Sequence, residues 1–201
     1  ESIDWRSKGA VTEVKVQGKC GSCWAFSATG SVEGAHFLAT GELVSLSEQQ
    51  LVSCDRVDEG CSGGHMDDAF QYIINNTGIN SEHLYPYTSS TLKDGDAPAC
   101  NITSQAHQVA RIDSFVDVPQ REEALIAAVG GRPVSVAINM TGWQFYGGGL
   151  FTADCGTDHD PSPDHSVLVV GYNLEPTGIS EEEREAKDGA RDGTGYYIVK
   201  N

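Results

Sequence analysis

Helical periodicity in the first half of the chain and strand-like runs in the second predict an α+β fold. Three observations carry that expectation. Trp24, Ala28, Val32 and Ala35 recur at helical spacing. Val134, Val136 and Ile138 alternate with Ser135, Ala137 and Asn139, as in a half-buried strand. Residues 166–172 form a continuous apolar run of strand length, and residues 196–200 form another.

The elements follow in order. Cys23 opens the first helix. Ser47-Glu48-Gln49-Gln50 has the pattern of a capping box, so a second helix runs through Leu51 and Val52. Met66, Ala69, Phe70, Ile73 and Ile74 share one face of a third. A short helix from Glu122 to Val129 stops at Gly130-Gly131. The expected division is one domain over 1–201, with a helical lobe at 10–110 and a β-rich lobe at 111–201. A site between such lobes is a cleft. Residues 173–195, rich in Glu, Asp, Gly and Ala, read as a solvated surface insertion. A regulatory or partner-binding loop is the alternative there. There is no internal repeat and no low-complexity tract.

The bulk numbers bound the function. With 201 residues and 39% hydrophobic composition, the chain can bury a substantial core. A net charge of −16 argues against nucleic-acid and anionic-lipid partners. It serves solubility, and it would also suit an acidic compartment. No apolar run is long enough to span a membrane. The chain opens at Glu1 without a charged-then-apolar leader, so any signal or pro-segment is expected to have been removed or to lie outside this sequence. The six cysteines, Cys20, Cys23, Cys54, Cys61, Cys100 and Cys155, suit a disulfide framework in an oxidising compartment. Sequons at Asn75, Asn101 and Asn139 point weakly the same way, and Asn139, inside a strand-like run, suits a glycan least.

The segment from Gln17 to Ser27 holds the chemistry. Its C-x-x-C, Cys20 and Cys23, admits a redox dithiol, half of a zinc site, or one structural and one catalytic thiol. The other cysteines are not clustered as further zinc ligands. A redox dithiol would belong to a small βαβ domain, and here the motif opens a helix in a helical half. The third reading has direct physical support. A thiolate at a helix N-terminus faces the positive end of the dipole, which lowers a cysteine pKa. The Cys23 N–H and the Gln17 side chain could both donate to a developing oxyanion. Of six histidines, His165 borders a rigid strand, which suits a base. His36 lies within the first helix, His83 and His107 have no supporting motif, and His159 lies in a Pro/Asp-rich loop.

These residues resemble a known family. Q-G-K-C-G-S-C-W-A-F-S at residues 17–27 contains the C-G-S-C-W signature of papain/cathepsin cysteine proteases. Asp4-Trp5-Arg6 looks like the family's mature N-terminus. Cys61-Ser62-Gly63-Gly64, Tyr85-Pro86-Tyr87, residues 146–151, Asp164-His165, Val170-Gly171-Tyr172 and Val199-Lys200-Asn201 resemble further family segments. The pattern is most similar to cathepsin-L-like enzymes, including the cruzipain-type enzymes of trypanosomatids.

The resemblance implies a two-lobe papain-like fold and a cysteine endopeptidase with no metal and no cofactor. Cys23 would be the nucleophile, His165 its base, Asn201 the ring's partner and Gln17 an oxyanion donor. Gly63, Gly64, His65, Met66, Ala137, Trp143, Pro163, Asp164 and Ser166 would line the substrate cleft. Gly64 is read as the glycine that lets peptide backbone approach. The implied disulfides are Cys20–Cys61 and Cys54–Cys100, with Cys155 paired beyond Asn201. Relatives continue past the position of Asn201, so the resemblance also implies a C-terminally truncated chain. Between Cys61 and Tyr85 there is no room for the paired-histidine occluding loop of cathepsin-B-like members. Protein and peptide substrates, cystatin-type inhibitors, a propeptide-controlled zymogen, a monomer, and a lysosomal, acidic endosomal or secreted location follow from the same likeness. A catalytically silent papain-fold binder and a Cys20/Cys23 oxidoreductase are the rival readings.

Overall fold

The computed structural model describes residues 1–92, 97–140, 142–151, 162–174 and 195–201. Strand β1 (Ser2–Asp4) is followed by helices α1 (Cys23–Thr40), α2 (Glu48–Cys54), α3 (Met66–Asn75), α4 (Ile102–Gln105) and α5 (Glu122–Gly131). Strands β2 (Val134–Ile138), β3 (His165–Asn173) and β4 (Tyr196–Lys200) complete the described elements. The four strands form one antiparallel sheet centred on β3. β1 and β4 both pair residues 171–173 of β3, so they take opposite edges. β2 pairs residues 165–169 on the edge away from β4. The mixed α+β character is the expected one.

Helix α1 is the pivot between helices and sheet. Trp24, Ala25, Ala28, Thr29, Gly30, Val32 and Gly34 are buried, so the helix is enclosed on most sides. One core packs Trp24, Ala28 and Val32 with Leu51 and Val52 of α2 and with Ala69 and Ile73 of α3. A second gathers Val129 of α5 with Val169 and Tyr172 of β3. Gly30 lets α1 lie close on the sheet, because a Cβ there would stand 2.8 Å from Leu168 Cδ2. Two hydrogen bonds then set the height of the helix. Ser27 Oγ donates to Val167 O at 2.7 Å, and Ser135 Oγ donates to Ser27 O at 2.8 Å. Ser27 is one turn below Cys23 and Val167 is two residues beyond His165. These bonds therefore register the thiol against the imidazole.

Ser47 caps α2 by accepting the Gln50 N–H at 3.0 Å. The reciprocal half of the expected capping box is absent, because Gln50 Oε1 accepts the Asn80 N–H and Ser47 N–H goes to Asn80 O. Ser47 Oγ also donates to Tyr85 O at 2.6 Å. Ser47→Ala removes the cap and orphans that buried carbonyl. A loss of about 2 kcal/mol of stability is expected, checked by urea unfolding.

Some boundaries differ from expectation. α5 runs through Gly130-Gly131 instead of stopping there, and Arg132 N–H closes the last turn on Ala128 O at 3.2 Å. Burial of Val129 against Val169 and Tyr172 outweighs the poor helix propensity of glycine. Strand β1 and helix α4, of three and four residues, are too short to show periodicity. The disulfides Cys20–Cys61 and Cys54–Cys100 are formed. Cys155, His159, Thr141 of the third sequon and residues 175–194 of the acidic insertion lie outside the described residues.

Candidate active site

Cys23 is the first residue of α1, and Ser22 precedes it as a fully buried N-cap. The early amides of a helix have no partner within it, and their dipoles favour an anion. The half-buried Cys23 thiol is free. Because Cys20 is bonded to Cys61, the C-x-x-C is neither a dithiol nor a pair of metal ligands. His165 is the first residue of β3, and its ring meets the thiol. Asn201 follows β4 and accepts from the other side, with His165 Nε2 2.7 Å from Asn201 Oδ1. That bond fixes the tautomer and leaves Nδ1 for the sulfur.

The electrostatics agree with an ion pair. Burial pushes the Cys23 thiol up. The hydrogen bond to His165, the backbone amides of Ser166 and Trp24 and the ring's charge outweigh it, so the thiol lies below its ordinary range. The hydrogen bond to Cys23 raises the His165 pKa. Burial opposes this, while the Asn201 contact and the charges of Cys23 and Asp164 add to it. The two groups move toward each other's range, as a thiolate–imidazolium pair requires.

Gln17 is held at its side chain and at its backbone carbonyl. Its Nε2 donates to Cys20 O at 2.7 Å, which leaves one N–H on that nitrogen. Its carbonyl accepts from Tyr87 Oη at 2.9 Å, and that hydroxyl also bonds Ser22 Oγ at 2.7 Å. Two residues on, Lys19 N–H donates to Ser90 O at 2.8 Å. Gln17, Cys23, Ser166 and Asn201 share a cavity of about 490 Å³. A larger groove of about 610 Å³, lined by Thr12, Leu43, Glu82 and Ser90, contains none of these four residues.

A charge network of Lys15, Glu33, Glu48 and Lys200 lines the same cavity. Lys15 Nζ reaches Glu48 Oε1 at 2.6 Å and Glu33 Oε1 at 3.2 Å. Thr12 Oγ1 donates to Glu33 Oε2 at 2.6 Å and accepts from Lys200 Nζ at 2.8 Å. Burial pushes Glu48 up to about 7, against the pull of Lys15. The network anchors residues 12–15 just before Gln17, and Lys200 just before Asn201. It thereby braces both flanks of the site.

The other expected residues spread around the rim. Gly63 adopts φ +123° with open space beside it. Gly64 also carries a constraint from within the protein. A Cβ there would stand 2.6 Å from Asp58 Oδ1 and 2.7 Å from Trp24 Cδ2, so the constraint comes from the protein beneath. His65 is an exposed N-cap of α3, while Met66 packs partly into the helical core. Ala137 is exposed on β2. Trp143 stacks near Phe151, with ring centroids 5.1 Å apart. Pro163 and Asp164 are exposed, and Asp164 Oδ1 accepts the Met140 N–H at 2.8 Å. Ser166 is buried beside the thiol. None of Gly63, Gly64, His65, Met66, Ala137, Trp143, Pro163 and Asp164 lines the 490 Å³ cavity.

The family described as papain family cysteine protease matches residues 1–201. The chain belongs to the papain family. Across its whole length this papain-family chain is 50% identical to a thiol protease of Hemerocallis and 48% identical to cysteine proteinase EP-B 1 of Hordeum vulgare. It spans about half the length of the curated relatives it matches, 49% in both of these cases. Bromelain from Ananas comosus, solved with the E64 inhibitor, superposes with a TM-score of 0.80 at 36% identity, and 81% of that chain is covered. The proform of a ragweed pollen cysteine protease gives 0.80 at 42%, with 55% of that chain covered. The papain-like fold expected from the motifs is therefore the observed one. The expected likeness to trypanosomatid enzymes is replaced by a likeness to plant ones. The quoted motifs surround chemistry that all branches share, so they could not separate them.

Sequence reasoning missed Ser22, Asp55, Asp58 and the Lys15–Glu33–Glu48–Lys200 network. Glu33, beside Val32 in the middle of α1, was the one legible signal, since a mid-helix charge next to core residues needs a partner.

Proposed function

We propose that this chain carries out peptide-bond hydrolysis as a cysteine endopeptidase. The carrying observation is the His165 ring between the Cys23 thiol and the Asn201 carboxamide. Cys23 Sγ attacks the scissile carbonyl carbon as a thiolate. Negative charge moves to the carbonyl oxygen, where the Cys23 N–H and the second Gln17 Nε2–H donate. His165 Nδ1–H protonates the leaving amine as the C–N bond breaks, which gives a thioester. Water then gives a proton to His165, attacks the thioester, and releases the acid and the thiol.

Further features are part of the same reading. Gly63 and Gly64 receive the extended peptide backbone, with His65, Met66, Ala137, Trp143, Pro163, Asp164 and Ser166 around it. The two lobes meet along this cleft, the helical one at 10–110 and the β-rich one at 111–201. A propeptide would cover the cleft, by analogy with the ragweed relative, which was solved in its proform. Cystatin-type inhibitors, glycosylation, a monomeric state and an acidic lysosomal, endosomal or secreted setting complete the proposal. Support for the acidic setting is that Asp58, pushed up to about 7 with burial as the largest cause, keeps its proton there.

The test is treatment with a thiol-directed epoxide, followed by peptide mapping and turnover of a peptide blocked at both ends. Stoichiometric label on Cys23 together with internal cleavage is expected. Label on another residue, or cleavage only at chain ends, would overturn the reading.

A further inference from the structure

Two carboxyl groups meet beneath the Gly63–Gly64 strip. Asp55, 8% exposed, follows α2, and its Oδ1 accepts the Val57 N–H at 2.9 Å. Asp58 Oδ1 accepts the His65 N–H at 2.7 Å. That same oxygen lies 2.6 Å from the point where a Gly64 Cβ would stand. The strip therefore rests directly on Asp58 and on the Trp24 ring. Each carboxyl leaves its second oxygen, Oδ2, buried with no hydrogen-bond partner among the described residues. The Asp58 side chain is nonetheless within hydrogen-bonding reach of Asp55.

Two ionised carboxylates have no proton to share, so as anions they repel and both Oδ2 atoms stay orphaned. One proton held between them supplies the missing donor and removes the repulsion. We propose that Asp55 and Asp58 share a proton, and that this proton holds the Gly63–His65 strip in the shape that receives an extended peptide. The substrate role of the strip rests on the function proposed above. Asp58 is then a positioning residue, acting on the peptide through the His65 amide and the Gly64 backbone.

Other titratable groups facing the pair are Asp68 in the first turn of α3, His65 at its N-cap and Tyr72 further along the same helix, which faces Asp55, with Asp67 facing Asp68 and His65. Trp24, which lies beneath Gly64 beside Asp58, does not titrate. Burial, with Asp55 and Asp68 adding to it, pushes Asp58 up to about 7 against the pull of the His65 amide and ring. Burial raises Asp55 as well. The shared proton is therefore present in acid and lost as pH rises through about 7.

The experiment measures KM for an internally quenched peptide from about pH 5 to about pH 8.5 in wild type, Asp58→Asn and Asp55→Asn. In wild type, KM should climb toward tenfold per pH unit above the midpoint, as the binding-competent fraction falls. Asp58→Asn keeps an oxygen for the His65 N–H and offers an NH₂ to Asp55, so its KM should be flat. Asp55→Asn should be flat for the matching reason. The kcat profile, set by Cys23 and His165, should be common to all three. An Asp58→Asn KM that rises as wild type does, or a flat wild-type KM, overturns the proposal. Carboxyl ¹³C NMR of aspartate-labelled wild type gives a readout independent of turnover. A signal titrating near pH 7 is expected, and its absence overturns proton sharing even if the variants fold poorly. Wild type that shows this signal but cleaves no peptide would overturn the proposed function and the strip's substrate role, while leaving the shared proton in place.

Discussion

Cys23→Ser and His165→Ala are each expected to lower kcat/KM for a peptide by about 10⁴-fold or more, and the double variant by little more than either alone. The thiol and the ring act as one unit. Serine keeps the shape, but its hydroxyl is far less acidic than a thiol held down by His165 and two backbone amides. Removing the ring leaves the thiol with the Ser166 and Trp24 amides alone, while burial still pushes it up. The sign follows for pH. In wild type, alkylation of Cys23 by iodoacetamide begins below the ordinary thiol range, because the thiolate forms at lower pH. In His165→Ala the midpoint should move upward. Alkylation rate against pH checks this, and an unmoved midpoint would separate His165 from the thiol's activation.

Gln17→Ala should cost about 10²–10³-fold in kcat with KM nearly unchanged, as expected for a donor that matters most in the transition state. The geometry makes the prediction specific. The amide is already oriented by its bond to Cys20 O, and the backbone of residue 17 is pinned by Tyr87. Little reorganisation is left for the moment of reaction. Alanine keeps the Tyr87 contact to the residue 17 carbonyl and loses the side-chain bond to Cys20 O together with the oxyanion donor, so the Tyr87 anchor should hold the loop in place. Steady-state kinetics on a peptide substrate give the split. The alkylation profile should match wild type, because Gln17 is absent from the interactions that lower the thiol.

The helices were legible where burial is one-sided or capped. α3 shows its face through Ala69 and Ile73, and α2 announces its start through Ser47. Strands β3 and β4 were legible as apolar runs and β2 as an alternation, but β1 was too short to show and the order of the strands was not legible. β3 pairs with three strands from distant parts of the chain, and no local pattern encodes such pairings. α5 shows the opposite failure, with packing of Val129 overriding the glycine signal.

The same division applies to the site. By itself, the sequence determined the chemical identities: a thiol opening a helix, a glutamine six residues before it, a histidine at the edge of an apolar run, and the family motifs around them. Those are local properties, fixed by spacing along one segment at a time. Only the tertiary structure decided that Cys20 is spent in a disulfide and Cys23 is free. It also decided that the ring lies between thiol and carboxamide, and that Gly64 is glycine because Asp58 and Trp24 lie beneath it. The physical reason is separation along the chain. Cys23 and His165 are brought together by α1 docking on β3 through Ser27 and Val167, and a charge buried in that docking finds its partner only once the chain is folded.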